Sequence, residues 1–233
     1  MPSFEAEIVD ALFSHGEWHT IGQLKAVTAQ ILQKTQTDHS FAERMRVQDQ
    51  KSIPWSKSWL EELYPFKLFA DHTGLPDDAT FCWTPCGVAD FEVRVAGKTK
   101  KIQSTMAYAE HEGSIGVQGG HVRKLEMQQY NAEGFSYGGG LIKEPRARSA
   151  EDDVNAWRVG IAQALRKKLK PHYTGCWLLI YAPRCQFNTI DFDFDKVVIP
   201  AIEQIGRSTW EQVFDGLYVL DEPQTAFVEI RRN

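Results

Sequence analysis

Between Cys86 and Tyr108 the chain reads CGVADFEVRVAGKTKKIQSTMAY, and its polar and apolar positions alternate with period two. Asp90, Glu92 and Arg94 alternate with Phe91, Val93 and Val95. After a polar turn around Gly97, Gln103 and Thr105 alternate with Ile102, Ser104 and Met106. Strict alternation marks a half-buried strand, so the stretch predicts a β-hairpin. If the apolar sets share one core, Asp90, Glu92, Gln103 and Thr105 fall together on the other face.

Helical spacing governs most of the remaining chain. Phe4, Ile8, Ala11 and Leu12 predict a short helix over residues 4–13, and Ile21, Leu24, Val27, Ile31 and Leu32 a second from Thr20 to about Gln33. Residues 34–54 are polar and weakly periodic, with a helical stretch expected around Phe41 to Val47. Residues 1–50 therefore read as a helical amino-terminal extension. Three roles are open to it: an appendage, an arm that makes a homodimer, or a layer packed on the sheet. Trp59, Leu60, Leu63 and Phe66 predict a helix from Ser56 to about His72, kinked or broken at Pro65. A strand over Thr80 to Trp83 precedes the hairpin. Residues 109–148 hold eight of the 17 glycines and read as a long insertion or a short extra hairpin. A long helix follows, with Ser149 as its N-cap, the stripe Val154, Trp157, Ile161, Leu165 and Leu169, and a stop at Pro171. The run CWLLIYAP (176–183) suits a central strand buried on both faces. Alternation over Phe187 to Asp195, a helix from Lys196 to about Arg207, and strands over Gly216–Leu220 and Ala226–Arg231 complete the pattern. The fold class is α/β over residues 51–233: a mixed central sheet flanked by helices.

The 233 residues suffice for one large domain or for one domain with an appendage. No apolar run reaches the roughly 18 residues that a membrane span needs, so no membrane partner is expected. The amino-terminal MPSFEAEIVDALF carries acids where a signal peptide needs bases, which points to the cytoplasm. There Cys82, Cys86, Cys176 and Cys185 are reduced thiols, and their spacings of three and eight argue against a structural zinc site. Net charge is −5, so any nucleic-acid binding has to rest on a local basic patch. Arg166, Lys167 and Lys170 on the outer face of the long helix, with Lys143, Arg146, Arg148 and Arg158 before them, form such a patch. A helix C-terminus also attracts cations for electrostatic reasons alone.

The hairpin carries the candidate chemistry. Asp90 with the amide oxygen of Gln103, both on rigid strands, suits a hard divalent cation such as Mg²⁺ or Mn²⁺. A solvated strand face is the plain alternative. Glu92 is able to supply a further acid, or to pair across the strands with Lys100 or Lys101. At 100° per residue Lys168 lies near the centre of the long helix's apolar stripe and Arg158 near its edge, so both point toward the sheet. Lys168 then either brings positive charge to the hairpin or snorkels to water from the helix end. Asp191, Asp193 and Asp195 read as solvated, and His121 as a lone loop histidine.

At Asp90, Gln103 and Thr105 the chain resembles the PD-(D/E)XK nuclease superfamily. That pattern has an Asp at the start of one strand and an acid, any residue, then Lys on the next. Here Gln103 stands at the acid position and Thr105 where Lys is usual. A helix before the hairpin, and a long helix and an apolar strand after it, extend the likeness over roughly residues 56–183. The resemblance implies a restriction-endonuclease-like fold and a Mg²⁺- or Mn²⁺-dependent endonuclease that hydrolyses phosphodiesters, in DNA in preference to RNA. It implies metal ligands at Asp90 and Gln103, with Glu62 of the preceding helix or Glu92 as a further acid. Thr105 would then orient water, and Lys168 or Arg158 would face the phosphate. Two alternatives stand beside it: a nucleic-acid-binding protein of the same fold with a degenerate site, and a structural or regulatory protein-interaction domain.

Overall fold

The computed structural model describes residue 8 and residues 16–46, 53–84, 87–107, 136–137, 140–141, 150–182, 193–221 and 227–232. Its centre is a seven-stranded mixed sheet in the order β1-β2-β3-β4-β7-β8-β9. The strands are β1 (Trp18–Thr20), β2 (Thr80–Trp83), β3 (Phe91–Val95), β4 (Lys98–Met106), β7 (Cys176–Tyr181), β8 (Phe214–Leu220) and β9 (Phe227–Arg231). β4, β7 and β8 run parallel, and β1, β2, β3 and β9 extend the sheet antiparallel at its two sides. A separate two-stranded ladder, β5 (Ser136–Tyr137) with β6 (Gly140–Leu141), falls within the glycine-rich stretch, as a short extra hairpin.

Three consecutive residues of β7 explain the layering. Leu178, Leu179 and Ile180 are all fully buried, and neighbouring strand residues face opposite sides, so both sides of the sheet are covered. Leu179 and Tyr181 join one core with α1 (Ile21–Thr37), α2 (His39–Arg46) and α4 (Tyr64–His72). Cys176, Leu178 and Ile180 join a second core with α5 (Ala150–Lys168) and α6 (Asp195–Glu203). α5 forms the crossover from β4 to β7. α6 and the short α7 (Arg207–Trp210) form that from β7 to β8. This is the expected mixed sheet flanked by helices.

The described amino-terminal residues join the sheet and its first core. Trp18–Thr20 is an unforeseen edge strand paired with Thr80–Cys82, and Leu24, Val27, Ile31, Phe41 and Met45 lie in the first core. Of the helix expected over residues 4–13 only Ile8 lies among the described residues, helical and buried. Thr20 ends β1 and caps α1 at once: its hydroxyl accepts from the Gln23 N–H while the Gln23 side chain accepts from the Thr20 N–H. The alternation expected over Phe187 to Asp195 lies outside the described residues up to 192, and α6 already begins at Asp195.

Pro65 does not break its helix. A short turn α3 (Ser56–Ser58) runs through a π-helical turn (Trp59–Leu63) into α4. The Tyr64 N–H reaches back to the Trp59 carbonyl, five residues away. Proline cannot donate to the carbonyl four residues before it and its ring crowds that carbonyl. The widened turn before Pro65 takes up this mismatch, so the helix continues with Glu61 and Glu62 on the widened turn.

The β3–β4 hairpin forms as expected, with Phe91 opposite Ile102 and Val95 opposite Lys98. Its two-residue turn places both Ala96 (φ 48°) and Gly97 (φ 75°) in the left-handed region. Such turns match the twist of the strands, but Ala pays a steric cost of about 1 kcal/mol for that φ. Ala96→Asn is therefore expected to stabilise the fold by about 0.5–1 kcal/mol, read as a higher midpoint in urea at unchanged slope.

Candidate functional site

β3 leaves the ladder at Phe91, one residue before β4 has finished using it. The Ser104 N–H would have no main-chain acceptor there, and the Asp90 carboxylate supplies one: its Oδ2 accepts from Ser104 N at 2.7 Å. The same oxygen accepts from Gln103 Nε2, which also donates to the Ser104 carbonyl at 3.1 Å. Asp90 is thereby fixed in a notch of the sheet by one main-chain and one side-chain donor. Gln103 is buried beside it. The two residues sit together as the hairpin pattern requires, but Gln103 turns its N–H to the carboxylate and not its oxygen.

Charged residues reach this notch from both helical layers. Glu62, on the π-helical turn, accepts from Trp83 Nε1 at 2.7 Å, which fastens it to the end of β2. Lys168, on the last turn of α5, stands with its Nζ 5.5 Å from the centre of the Tyr173 ring. Asp90 and Glu62 act on Lys168 electrostatically, and it on them. Lys168 therefore points inward, as its place on the apolar stripe predicts.

Burial dominates the protonation of all three. It pushes the Asp90 carboxyl up, against the opposing pull of the Ser104 N–H, Lys168 and Gln103. It pushes Glu62 up as well. The Trp83 N–H and Lys168 oppose this, and Asp90 and Glu61 add to it. Burial pushes the Lys168 ammonium down, and both acids hold it up. Tyr173 is pushed up by burial and then by Asp90 and Cys176. Each group is more easily neutral than in water, which is the usual cost of gathering charges in a half-dry notch.

Other candidates lie elsewhere. Glu92 shares the face of Gln103 but pairs across the strands with Lys101 at 3.8 Å, the plain alternative for it. Arg158 points to α6 and not to the notch: it donates to the Lys196 carbonyl at 3.1 Å and to Asn155 at 3.2 Å. Its position at the stripe's edge puts it over the neighbouring helix, a distinction that helical angle alone cannot make. Thr105 is half-buried on the face of Gln103, opposite Ile180. Arg166, Lys167 and Lys170 are exposed at the end of α5. Lys143, Arg146, Arg148, His121, Asp191, Cys86 and Cys185 lie outside the described residues. Cys82 and Cys176 are buried free thiols, and Asp193 is exposed and pairs with Lys196.

Two members of the notch were not foreseen. Tyr173 follows Pro171 in a 3₁₀ turn, and nothing in its local pattern distinguishes it. Trp83 reads as an apolar strand residue, and only its indole N–H links it to Glu62. The π-helical turn did leave a signal, an acid pair three residues ahead of a proline inside a helical stripe. No group of three or more His, Cys, Asp or Glu residues able to hold a metal occurs among the described residues. No helix among them is long and apolar enough to cross a membrane. No family model matches the chain, and neither a curated protein nor a solved structure does.

The raised carboxyls have a consequence for stability. An unfolded carboxyl titrates near 4. Asp90 in the fold holds its proton to higher pH, so the unfolded chain ionises first and stability falls as pH rises through that interval. Above it, ionised Asp90 remains a net cost. Asp90→Asn keeps an oxygen for the Ser104 N–H and removes the charge. Thermal melts at neutral pH are expected to show the variant equal to or more stable than wild type, with the advantage vanishing in acid.

Proposed function

We propose that the protein is a Mg²⁺- or Mn²⁺-dependent nuclease of the PD-(D/E)XK type, with the restriction-endonuclease-like fold that this type implies, acting on DNA in preference to RNA. One observation carries the reading. Glu62, Asp90, Gln103 and Lys168 come from four separate elements and both helical layers, yet they meet at one notch. The order of elements through the site supports it too: a helix, three antiparallel strands, a crossover helix and a parallel strand.

The donor set fits a hard cation. Asp90 and Glu62 offer carboxylate oxygens, and Gln103 offers an amide oxygen once its side-chain amide is turned over. A bound Mg²⁺ supplies charge stabilisation for a phosphoryl oxygen and lowers the pKa of water. The chain's own residues do the rest. Asp90 is held rigid by the Ser104 N–H, and Glu62 by Trp83. Lys168 sets a cation where the substrate phosphate would lie, the task that Thr105 cannot perform as a neutral hydroxyl. Thr105 offers a hydroxyl on the same face to position water. Arg166, Lys167 and Lys170 extend positive charge outward along the end of α5, suited to a phosphate backbone.

A second reading, a nucleic-acid-binding protein that does not cleave, is favoured by the amide of Gln103 bound to the carboxylate where a second acid is usual.

Cleavage assays separate the two. Plasmid and single- and double-stranded DNA and RNA are expected to be cut with Mg²⁺ or Mn²⁺ and spared in chelator. Asp90→Asn, Glu62→Gln and Lys168→Met should each slow cutting about 10²-fold or more. Protons compete with the metal for Asp90 and Glu62. Mn²⁺ affinity, measured by calorimetry, should therefore rise with pH through the raised carboxyl range and level off above it. Absence of cutting by wild type and by Thr105→Lys, on every substrate and with either metal, leaves the binding reading in place.

Nucleic-acid binding is tested apart from cleavage. Changing Arg166, Lys167 and Lys170 to Glu should weaken duplex DNA binding. It should also flatten the plot of log affinity against log salt by up to about 3 units. An unchanged slope by electrophoretic mobility shift moves the contact surface off α5.

A further inference from the structure

Among the described residues, none fully covers the sheet face opposite Gln103 and Thr105. α4 ends at His72, and beyond it lies a cleft of about 660 Å³ between the end of α4 and the tip of the β3–β4 hairpin. Its volume is that of a small-molecule site. Strand periodicity explains its lining: Lys98, Lys100 and Ile102 of β4, Tyr218 of β8, and Phe227, Glu229 and Arg231 of β9 all project to this side.

Three rings that line the cleft, His72, Phe227 and Tyr218, belong to a row that Trp177 extends. Trp177 stacks on Tyr218 (centroids 4.7 Å, 21°), Tyr218 on Phe227 (5.5 Å, 22°), and Phe227 on His72 (5.3 Å, 7°). Gly216 makes the row possible. A Cβ at that position would lie 2.2 Å from the Trp177 ring. The stacked rings occupy one another's faces and Tyr218 is buried, so Phe227 and His72 are the members of the row open to a planar ring.

At one end of the row stands a cation. Lys100 Nζ lies 3.9 Å from the centre of the Trp177 ring and donates to the Tyr218 hydroxyl at 3.1 Å. Burial pushes its ammonium down from the ordinary lysine range. Among the described residues no carboxylate lies within ion-pair distance of it. Its nearest acid in the cleft, Glu229, is already paired with Arg231 at 2.7 Å. Lys98 adds a second positive charge at the rim, exposed and on the same face. Glu229 and Asp215 hold the ammonium up from beyond ion-pair distance and Arg231 opposes them, so its burial is only partly offset and an anion in direct contact would offset it further.

We propose that this cleft binds a small planar aromatic anion, its ring against Phe227 and His72 and its carboxylate or phosphate on Lys100 and Lys98. Nucleotides and simple aromatic acids share this chemistry. The cleft opens on the opposite side of the sheet from Gln103 and Thr105, so its occupancy does not depend on the nuclease reading.

Titration calorimetry with the full chain tests it, using adenosine 5′-monophosphate and 2-naphthoate as probes. Adenosine, 2-naphthamide and inorganic phosphate serve as controls. At least one anionic probe is expected to bind at micromolar to sub-millimolar concentration, about tenfold or more tighter than its neutral counterpart and than phosphate. Which probe binds tells a nucleotide site from an aromatic-acid site. Lys100→Met should weaken that binding about tenfold or more. It should leave the melting temperature unchanged or higher, because an unpaired buried charge is removed while the packed stem stays. Phe227→Leu should weaken the ring's contribution. Asp90→Asn should leave probe binding in the cleft unchanged, whatever it does to cleavage, which separates this cleft from the notch. The proposal is overturned if neither anionic probe binds below millimolar concentration, if neutral and anionic forms bind alike, or if folded Lys100→Met binds as wild type does.

Discussion

Leu178, Leu179 and Ile180 follow one another in β7 and are all out of contact with water. A strand turns successive side chains to opposite sides, so this run is stable only between two covering layers. The rest of the arrangement depends on that constraint. It requires a helical layer on each face, and with β4, β7 and β8 parallel, crossover helices supply one of them. It also decides where charged residues can stand. Helices packed flat on the sheet keep polar groups near it only at their ends, at their edges or where a turn is distorted. Lys168 uses the end of α5, and Glu62 uses the π-helical turn ahead of Pro65.

The notch at Asp90 is the sheet's own irregularity put to use. β3 stops pairing with β4 one residue early, and a carboxylate takes over the missing acceptor. A main-chain N–H is a strong and immobile donor, so it fixes the acid better than a flexible side chain could. The same location is half-dry. Asp90, Glu62 and Lys168 are all pushed toward their neutral forms by burial, and each partly restores the charge of another. A cluster of this kind does not serve stability, since apolar residues would fill the space at lower cost. That imbalance is the physical reason to look for its purpose in binding or chemistry.

The two faces of the sheet divide the molecule's unusual groups. On one side Gln103, Thr105 and Glu92 accompany the acidic notch. On the other, Lys100 stands over Trp177 in a row of rings. Lys100 and Gln103 are three residues apart on the same strand, and the odd separation alone sends them to opposite sides. A single strand, β4, thus contributes to both places. The edge strand β9 keeps its solvent side charged with Arg231 and Glu229, which suits a strand that must not recruit another.

The sequence by itself determined the α/β class, the hairpin, the long helix, the central strand and the placing of Asp90 with Gln103 on one face. Each of these rests on side-chain periodicity, which is a local property. It also put Lys168 on the inward side of its helix. Only the tertiary structure decided the remainder. Trp18–Thr20 is too short to show a period and becomes a strand because β2 offers it an edge. Pro65 reads as a kink or a break because proline costs a helix one hydrogen bond, but packing of Trp59, Leu63 and Phe66 into the core holds the helix together and the π-helical turn absorbs the misfit. Arg158 and Lys168 share a helix and an inward bias, yet one meets α6 and the other the notch, because which neighbour lies opposite is set by the packing of layers. Glu92 and Lys101 pair for a reason legible in the strand, while the meeting of Glu62, Asp90 and Lys168 is not. Their separation along the chain exceeds any local period, and only the stacking of two helical layers on one sheet brings them together.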